Sequence, residues 1–194
     1  TSFFLNNRFY FAITIIAMLF VVGFFVPLFF GLAKVLLFGL LLITLVDIFI
    51  LFSVKNGVSA ERIVPERLSN GDENKIQLNI KNNYNINVNT IVLEELPFQL
   101  QNRNFKLQHQ FTSQEAKEIN YKVTPFVRGD YNFGNTNIYV SSPLQLATKK
   151  YILSEPKNVK CYPSFLKLNE LNIKAISNNL HTQGSKKIRR IGNS

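Results

Sequence analysis

Residues 10–52 read YFAITIIAMLFVVGFFVPLFFGLAKVLLFGLLLITLVDIFILF, and this stretch decides the fold. Two apolar runs, Tyr10 to Phe30 and Val35 to Phe52, flank Gly31-Leu32-Ala33-Lys34, and Lys34 and Asp47 are the only charges between those limits. A helix rises about 1.5 Å per residue, so the first run, 21 residues, crosses a hydrocarbon core of about 30 Å, and the second, 18 residues, barely does. The expected unit is a transmembrane α-hairpin over residues 1–54, with spans at 10–30 and 35–52. Two tandem runs of this length exceed the apolar core of a signal peptide, which is about 7–15 residues.

Working outward, Arg8 precedes the first run and Lys55, Arg62 and Arg67 follow the second, whereas the expected turn holds only Lys34. The positive-inside bias then puts both ends of the hairpin in the cytoplasm. Pro27 is expected near the end of the first span, where it helps Gly31 reverse the chain. Asp47 is an intramembrane acid and so a functional candidate. It lies six residues before Ser53, about 9 Å of helical rise, so an interfacial or helix-pairing role competes with function.

After Lys55 the period changes from helical to alternating. Lys75-Ile76-Gln77-Leu78-Asn79-Ile80-Lys81 is the clearest strand, bounded by the turn residues Ser69-Asn70-Gly71-Asp72 and Asn82-Asn83-Tyr84-Asn85. One-face sets recur at Ile86, Val88, Thr90 and Val92, at Phe105 to Phe111, at Ile119, Tyr121 and Val123, and at Tyr131, Phe133, Ile138 and Val140. The Gln99 to Arg103 stretch reads as a further strand or an irregular edge. After an interruption at Ser141-Ser142-Pro143-Leu144, Tyr151-Ile152-Leu153 and Val159 to Tyr162 return to the sheet. About seven short strands at about ten-residue spacing predict an all-β antiparallel, Ig-like sandwich over 55–163. Over 164–194 the stripe Leu168, Leu171, Ala175, Ile176 and Leu180 predicts a short C-terminal amphipathic helix, followed by a basic connector to a downstream domain.

Net charge is +10, and residues 145–194, with ten basic and two acidic side chains, hold +8 of it. The densest cluster, Lys186, Lys187, Arg189 and Arg190, is a candidate contact for a partner protein or anionic lipid. No aromatic interleaves it for base stacking, which disfavours nucleic acid. Cys161 is the only cysteine and sits in an alternating run, so it reads as a small buried residue. Glu94 and Glu95 point to opposite faces of a strand and read as exposed strand-end charge rather than an acid pair. Arg128-Gly129-Asp130 reads as a turn with water-facing charges. His109 and His181 stand without neighbouring ligands. Catalytic, cofactor-binding and metal-ligating residues are not expected, and no cofactor is called for.

Several segments together resemble the bacterial family called domain of unknown function 58. They are the apolar hairpin, Glu61-Arg62, Pro65 to Asn74, Pro125 to Gly134, Ser142-Pro143-Leu144, Tyr162-Pro163-Ser164, and Gly184 to Gly192. The resemblance implies a protein of the bacterial inner membrane in which a sandwich precedes a von Willebrand factor A-like domain. It also implies a MoxR-type AAA+ ATPase as partner and a role in assembling or activating partner complexes. The resulting expectation is a membrane-anchored, non-enzymatic interaction module bound to the lipid bilayer, facing the cytoplasm. Two alternatives compete: an envelope-facing binding domain for glycan or protein, and an enzyme whose site lies beyond this sequence.

Overall fold

Pro27 reverses the chain. Its ring fixes φ and removes the backbone donor, which suits the first position of a helix, and it favours an extended predecessor, Val26 at φ −128° and ψ 105°. The computed structural model, which describes residues 2–101 and 105–164, therefore divides the apolar stretch into α1 (Asn7–Phe25) and α2 (Pro27–Ser53). This corrects the spans expected at 10–30 and 35–52 and the turn expected at Gly31 to Lys34. A glycine inside a helix costs about 1 kcal/mol, too little to interrupt so apolar a segment, so Gly31 continues α2. Lys34 lies within α2 rather than in a turn, with Nζ 4.5 Å from the Phe30 ring centroid, directed back toward the start of the helix.

The two helices touch closely where they meet. A Cβ on Gly23 would stand 2.7 Å from the backbone nitrogen of Phe30, so only glycine allows this approach. Thr14 and Thr44 donate their hydroxyls to carbonyls one turn back, Tyr10 at 2.8 Å and Leu40 at 2.7 Å, which satisfies them inside apolar surroundings. Only 11% and 17% of the most apolar windows of α1 and α2 are buried, so these are not the core helices of a globular body, and both are long and apolar enough to cross a membrane. With 27 residues against 19, α2 extends beyond α1 by about 12 Å. Its last turns enter the β domain, where Leu51 joins the core.

The strands are β1 (Ser2–Leu5), β2 (Val58–Ile63), β3 (Arg67–Ser69), β4 (Asn74–Asn82), β5 (Val88–Glu94), β6 (Lys106–Phe111), β7 (Ala116–Val123), β8 (Gly129–Phe133), β9 (Thr136–Ser141), β10 (Ala147–Leu153) and β11 (Lys157–Tyr162). They form sheets in the orders β1-β10-β9-β5-β6, β2-β4-β7 and β3-β11-β8. The fold is an apolar helical hairpin joined to an Ig-like antiparallel β-sandwich. One short pair departs from the antiparallel rule, since β3 runs parallel to β11 with Leu68 opposite Cys161.

A second correction concerns the first residues. Residues 1–54 are not the hairpin alone, because Ser2 to Leu5 pairs with β10, Ser2 opposite Lys150 and Leu5 opposite Ala147. Two phenylalanines in four residues suit a strand, and β10 offers an unpaired edge there. The sandwich thus takes strands from both sides of the hairpin.

Period-two alternation does the rest. Ile76, Leu78 and Ile80 on β4, Tyr131 and Phe133 on β8, and Ile138 and Val140 on β9 are at most 1% exposed and share one core. Burying each such side chain contributes about 1.5–3 kcal/mol. The Ser69 to Asn74 turn forms as its residues imply: Gly71 takes φ 78°, and the Asn74 amide donates to the carbonyls of Ser69 and Asp72, both at 2.9 Å. The phenol of Tyr131 donates to the Val127 carbonyl at 2.7 Å, the backbone anchor of a tyrosine corner. Residues 98–100 form a single 3-10 turn rather than a strand.

Gly57 packs against the Tyr84 ring so tightly that a Cβ would lie 2.1 Å from it. Gly57→Ala is therefore expected to destabilise the sandwich by about 1–3 kcal/mol through overpacking, measured as a lowered midpoint in thermal unfolding. Measured against Tyr84→Leu alone, the added Gly57→Ala should cost little, and an undiminished cost there would show the clash is not the cause.

Candidate functional site at the hairpin–sandwich joint

The carbonyls in the last turn of a helix have no intrahelical partner, and a buried helix end must find donors elsewhere. In α2 those donors come from the sandwich. Lys149 on β10, 3% exposed, directs Nζ to the carbonyls of Leu51 at 3.1 Å and Val54 at 2.9 Å. The same ammonium lies 4.7 Å from the Phe52 ring centroid and 4.9 Å from that of Tyr151. Its positive charge meets the negative end of the helix dipole. The Tyr84 phenol also donates to Leu51, at 2.8 Å. A phenol has one proton, so in the 2.6 Å contact between the two hydroxyls Tyr151 is the donor to Tyr84.

Burial first, then the bond with Tyr151, holds the Tyr84 phenol in its neutral form well above the ordinary tyrosine range. A folded-state pKa raised in this way supplies stability that is present below about pH 10 and is lost as pH rises further. Unfolding midpoints are expected to fall on alkalinisation above that value, and Tyr84→Phe is expected to flatten the fall. An equally steep alkaline slope in the variant would place its origin elsewhere.

Asp47 lies one turn earlier on α2 and is fully buried. Its Oδ2 accepts from the backbone nitrogens of Leu146 at 3.2 Å and Ala147 at 2.9 Å, where the β9–β10 turn presses on the helix. Oδ1 has no hydrogen-bond partner among the described residues. Asp47 is thus bound by main-chain donors of the sandwich. On the other side of the same turn, the Leu146 carbonyl accepts from the Asn6 nitrogen at 2.9 Å. The Asn6 side chain accepts from Thr148 Oγ1 at 2.6 Å and donates to Ser141 Oγ at 3.4 Å. A single turn therefore ties both helices to the sheet.

A second buried polar group clasps the sheets farther along. Arg62 on β2 and Glu94 on β5 pair at 2.8 Å with side chains 2% and 0% exposed. Arg62 also donates to the carbonyls of Gly134 at 2.8 Å and Glu155 at 3.2 Å, and Thr136 Oγ1 donates to Glu94 Oε1 at 2.8 Å. This corrects the reading of Glu94 as exposed charge. Glu95 does face outward, and there it accepts from the Asn135 nitrogen at 2.9 Å and the Asn137 amide at 2.7 Å.

Two grooves mark the outer faces. One of about 520 Å³ on the β2-β4-β7 sheet has Glu61, Glu118, Lys81 and Lys117 in its wall and balances its own charge. The other, about 710 Å³, lies between the start of α1 and the outer face of the β1-β10-β9-β5-β6 sheet. Its wall includes Phe4, Asn6, Arg8, Asn89, Tyr139 and Gln145, and among the described residues Arg8 is its only charged side chain.

Of the residues singled out in the sequence, Asp47 belongs to the joint. Lys186, Lys187, Arg189, Arg190, His181 and the expected helix at Leu168 to Leu180 lie outside the described residues. His109 is on β6 opposite Thr90 and borders the wider groove. Among the described residues no cluster of three or more His, Cys, Asp or Glu is placed to hold a metal. Gly129 takes φ 134°, with Arg128 and Asp130 exposed beside it. Cys161 is buried on β11, and that burial pushes its thiol up from the ordinary range. Lys149, Tyr84 and the Arg62 clasp escape sequence reading. For Lys149 a signal existed, since it sits two residues before Tyr151 and so shares the inward face.

No family model and no curated protein matches the chain. Solved structures similar to part of it include the CARDB domain of the PF1109 protein from Pyrococcus furiosus, at 15% identity over 54% of this chain and 87% of that one, TM-score 0.36. The PapD-like domain 7 of human CEP192 is 11% identical over 56% of this chain and 87% of its own, TM-score 0.37. A cohesin module from a Clostridium perfringens family 33 glycoside hydrolase is 11% identical over 55% of this chain and 98% of its own, TM-score 0.37.

Proposed function

We propose that this protein is a non-enzymatic interaction or assembly module of the bacterial inner membrane, anchored by α1 and α2 and working with a MoxR-type AAA+ ATPase on partner complexes. The observation that carries this reading is the joint. Asp47, Lys149 and Tyr84 fix the sandwich to α2, and β1 fixes it to the start of α1. A domain held this way keeps one orientation beside the bilayer, as a module presenting a surface to a partner requires. Arg8 and Lys55 flank the hairpin on the sandwich side and favour a cytoplasmic domain. The resemblance to the domain of unknown function 58 family supplies the ATPase, with Lys186, Lys187, Arg189 and Arg190 as contacts for partner or lipid.

Purification of the full-length protein from solubilised membranes is expected to recover a MoxR-type ATPase. Its absence from every preparation that retains the membrane would remove the partnership. Orientation is tested with a Cys161→Ser/Lys117→Cys variant, whose exposed thiol should react with an impermeant maleimide only after lysis. Labelling in intact cells would turn the sandwich outward and favour a glycan- or protein-binding envelope domain.

A further inference from the structure

The 710 Å³ groove beside α1 differs from the rest of the sandwich surface in its charge. Among the described residues its wall holds Arg8 and no Asp or Glu, and the guanidinium makes no ion pair or hydrogen bond with another described residue. The side-chain amides of Asn89, Gln108 and Gln110, also in the wall, make none either. A free guanidinium amid neutral amide donors, without an acid to compete, is the donor set that a phosphate and its hydroxylated substituent require. The balanced charges of the other groove lack this property.

Position narrows the choice. Asn6 and Arg8 stand where the chain passes from β1 into α1, and Phe9, Tyr10 and Phe11 follow at once. With α1 in the bilayer, the groove opens at headgroup level. Phe4 and Tyr139, ring centroids 6.0 Å apart, give it an apolar wall against which glycerol and the first acyl carbons can lie. The floor is preorganised, since Asn6, Ser141 and Thr148 bind one another, the two hydroxyls at 2.8 Å. The volume falls within the range of about 300–1,000 Å³ usual for small-ligand sites.

We infer that the groove between the start of α1 and the outer sheet face binds the phosphate-glycerol headgroup of an anionic phospholipid in the leaflet beside the sandwich. The inference rests on the membrane placement proposed above. Arg8 pairs with the phosphate, the amides of Asn89, Gln108 and Gln110 donate to phosphate and glycerol oxygens, and Phe4 and Tyr139 cover the ester region. Bound lipid would bridge β1, β5, β6 and β9 and brace the joint from outside.

The test uses the full chain in nanodiscs of phosphatidylcholine doped with phosphatidylglycerol, with retained lipid read by native mass spectrometry. The parent protein is expected to keep phosphatidylglycerol in preference, and Arg8→Gln and Gln110→Glu are each expected to lower that preference about fivefold. Lys34→Gln, at the other end of the hairpin, should leave it unchanged. Undiminished preference in Arg8→Gln and Gln110→Glu, or no preference in a parent that stays in membranes through a carbonate wash, overturns the site. Release of the parent by that wash overturns the membrane placement instead. Displacement of the lipid by inorganic phosphate or glycerol phosphate would make the site one for a free phosphate and overturn the lipid assignment.

Discussion

Arg62→Met is expected to lower the stability of the sandwich by about 3–5 kcal/mol, the cost of leaving a buried charge without its partner. Glu94 is fully buried, and after the substitution Thr136 is the one side chain among the described residues that still binds it. The change also withdraws the donors that Arg62 supplies to Gly134 and Glu155. Glu94→Gln is expected to cost less, because a neutral amide still accepts from Thr136 and Arg62 retains its two carbonyls. The double variant Arg62→Met/Glu94→Leu is expected to regain much of the loss, since an apolar pair of similar volume removes both desolvated charges. Urea unfolding of the detergent-solubilised protein measures all three. A single-variant cost within about 0.5 kcal/mol of zero, ordinary for surface positions, would mean that water reaches the pair and that the clasp is not closed.

How much of this was legible follows from the range of each signal. Strand alternation is local, so Ile76, Leu78 and Ile80, or Ile119, Tyr121 and Val123, announce their inward face without knowledge of the partner strand. The hairpin is legible in the same way, but two local signals compete for its turn. Gly31 with Lys34 looked like a break in apolarity, whereas Pro27 imposed one in backbone geometry, and geometry prevailed. The clasp and the joint depend on pairs far apart in sequence, 32 residues between Arg62 and Glu94 and 100 between Asp47 and Ala147. Each member alone looks like an ordinary surface charge or a misplaced acid. β1 is illegible for a related reason, since four residues before an apolar run carry too short a period to separate from it.

Asp47→Leu is expected to loosen the sandwich from the hairpin at the β9–β10 turn, while Lys149 and Tyr84 still hold the end of α2. An alkyl group in place of the carboxylate leaves one half-buried donor, the nitrogen of Leu146, and one buried donor, that of Ala147, with no acceptor, and the buried one alone costs about 1–3 kcal/mol. The β9–β10 turn must then move away from α2 to reach water, and it carries with it the Leu146 carbonyl that holds Asn6. The loss is therefore expected at both anchor points together. Hydrogen exchange should quicken at Leu146, Ala147 and the β1–β10 pairing, while β4 and β7, whose pairing does not involve the turn, keep their protection. Asp47→Asn separates the two roles an acid can have here. Its amide oxygen accepts from the same nitrogens without a charge, so near-parental exchange in Asp47→Asn assigns the residue to holding the turn. Exchange as fast as in Asp47→Leu would instead show that the negative charge itself is required, and would return Asp47 to the class of functional intramembrane acids.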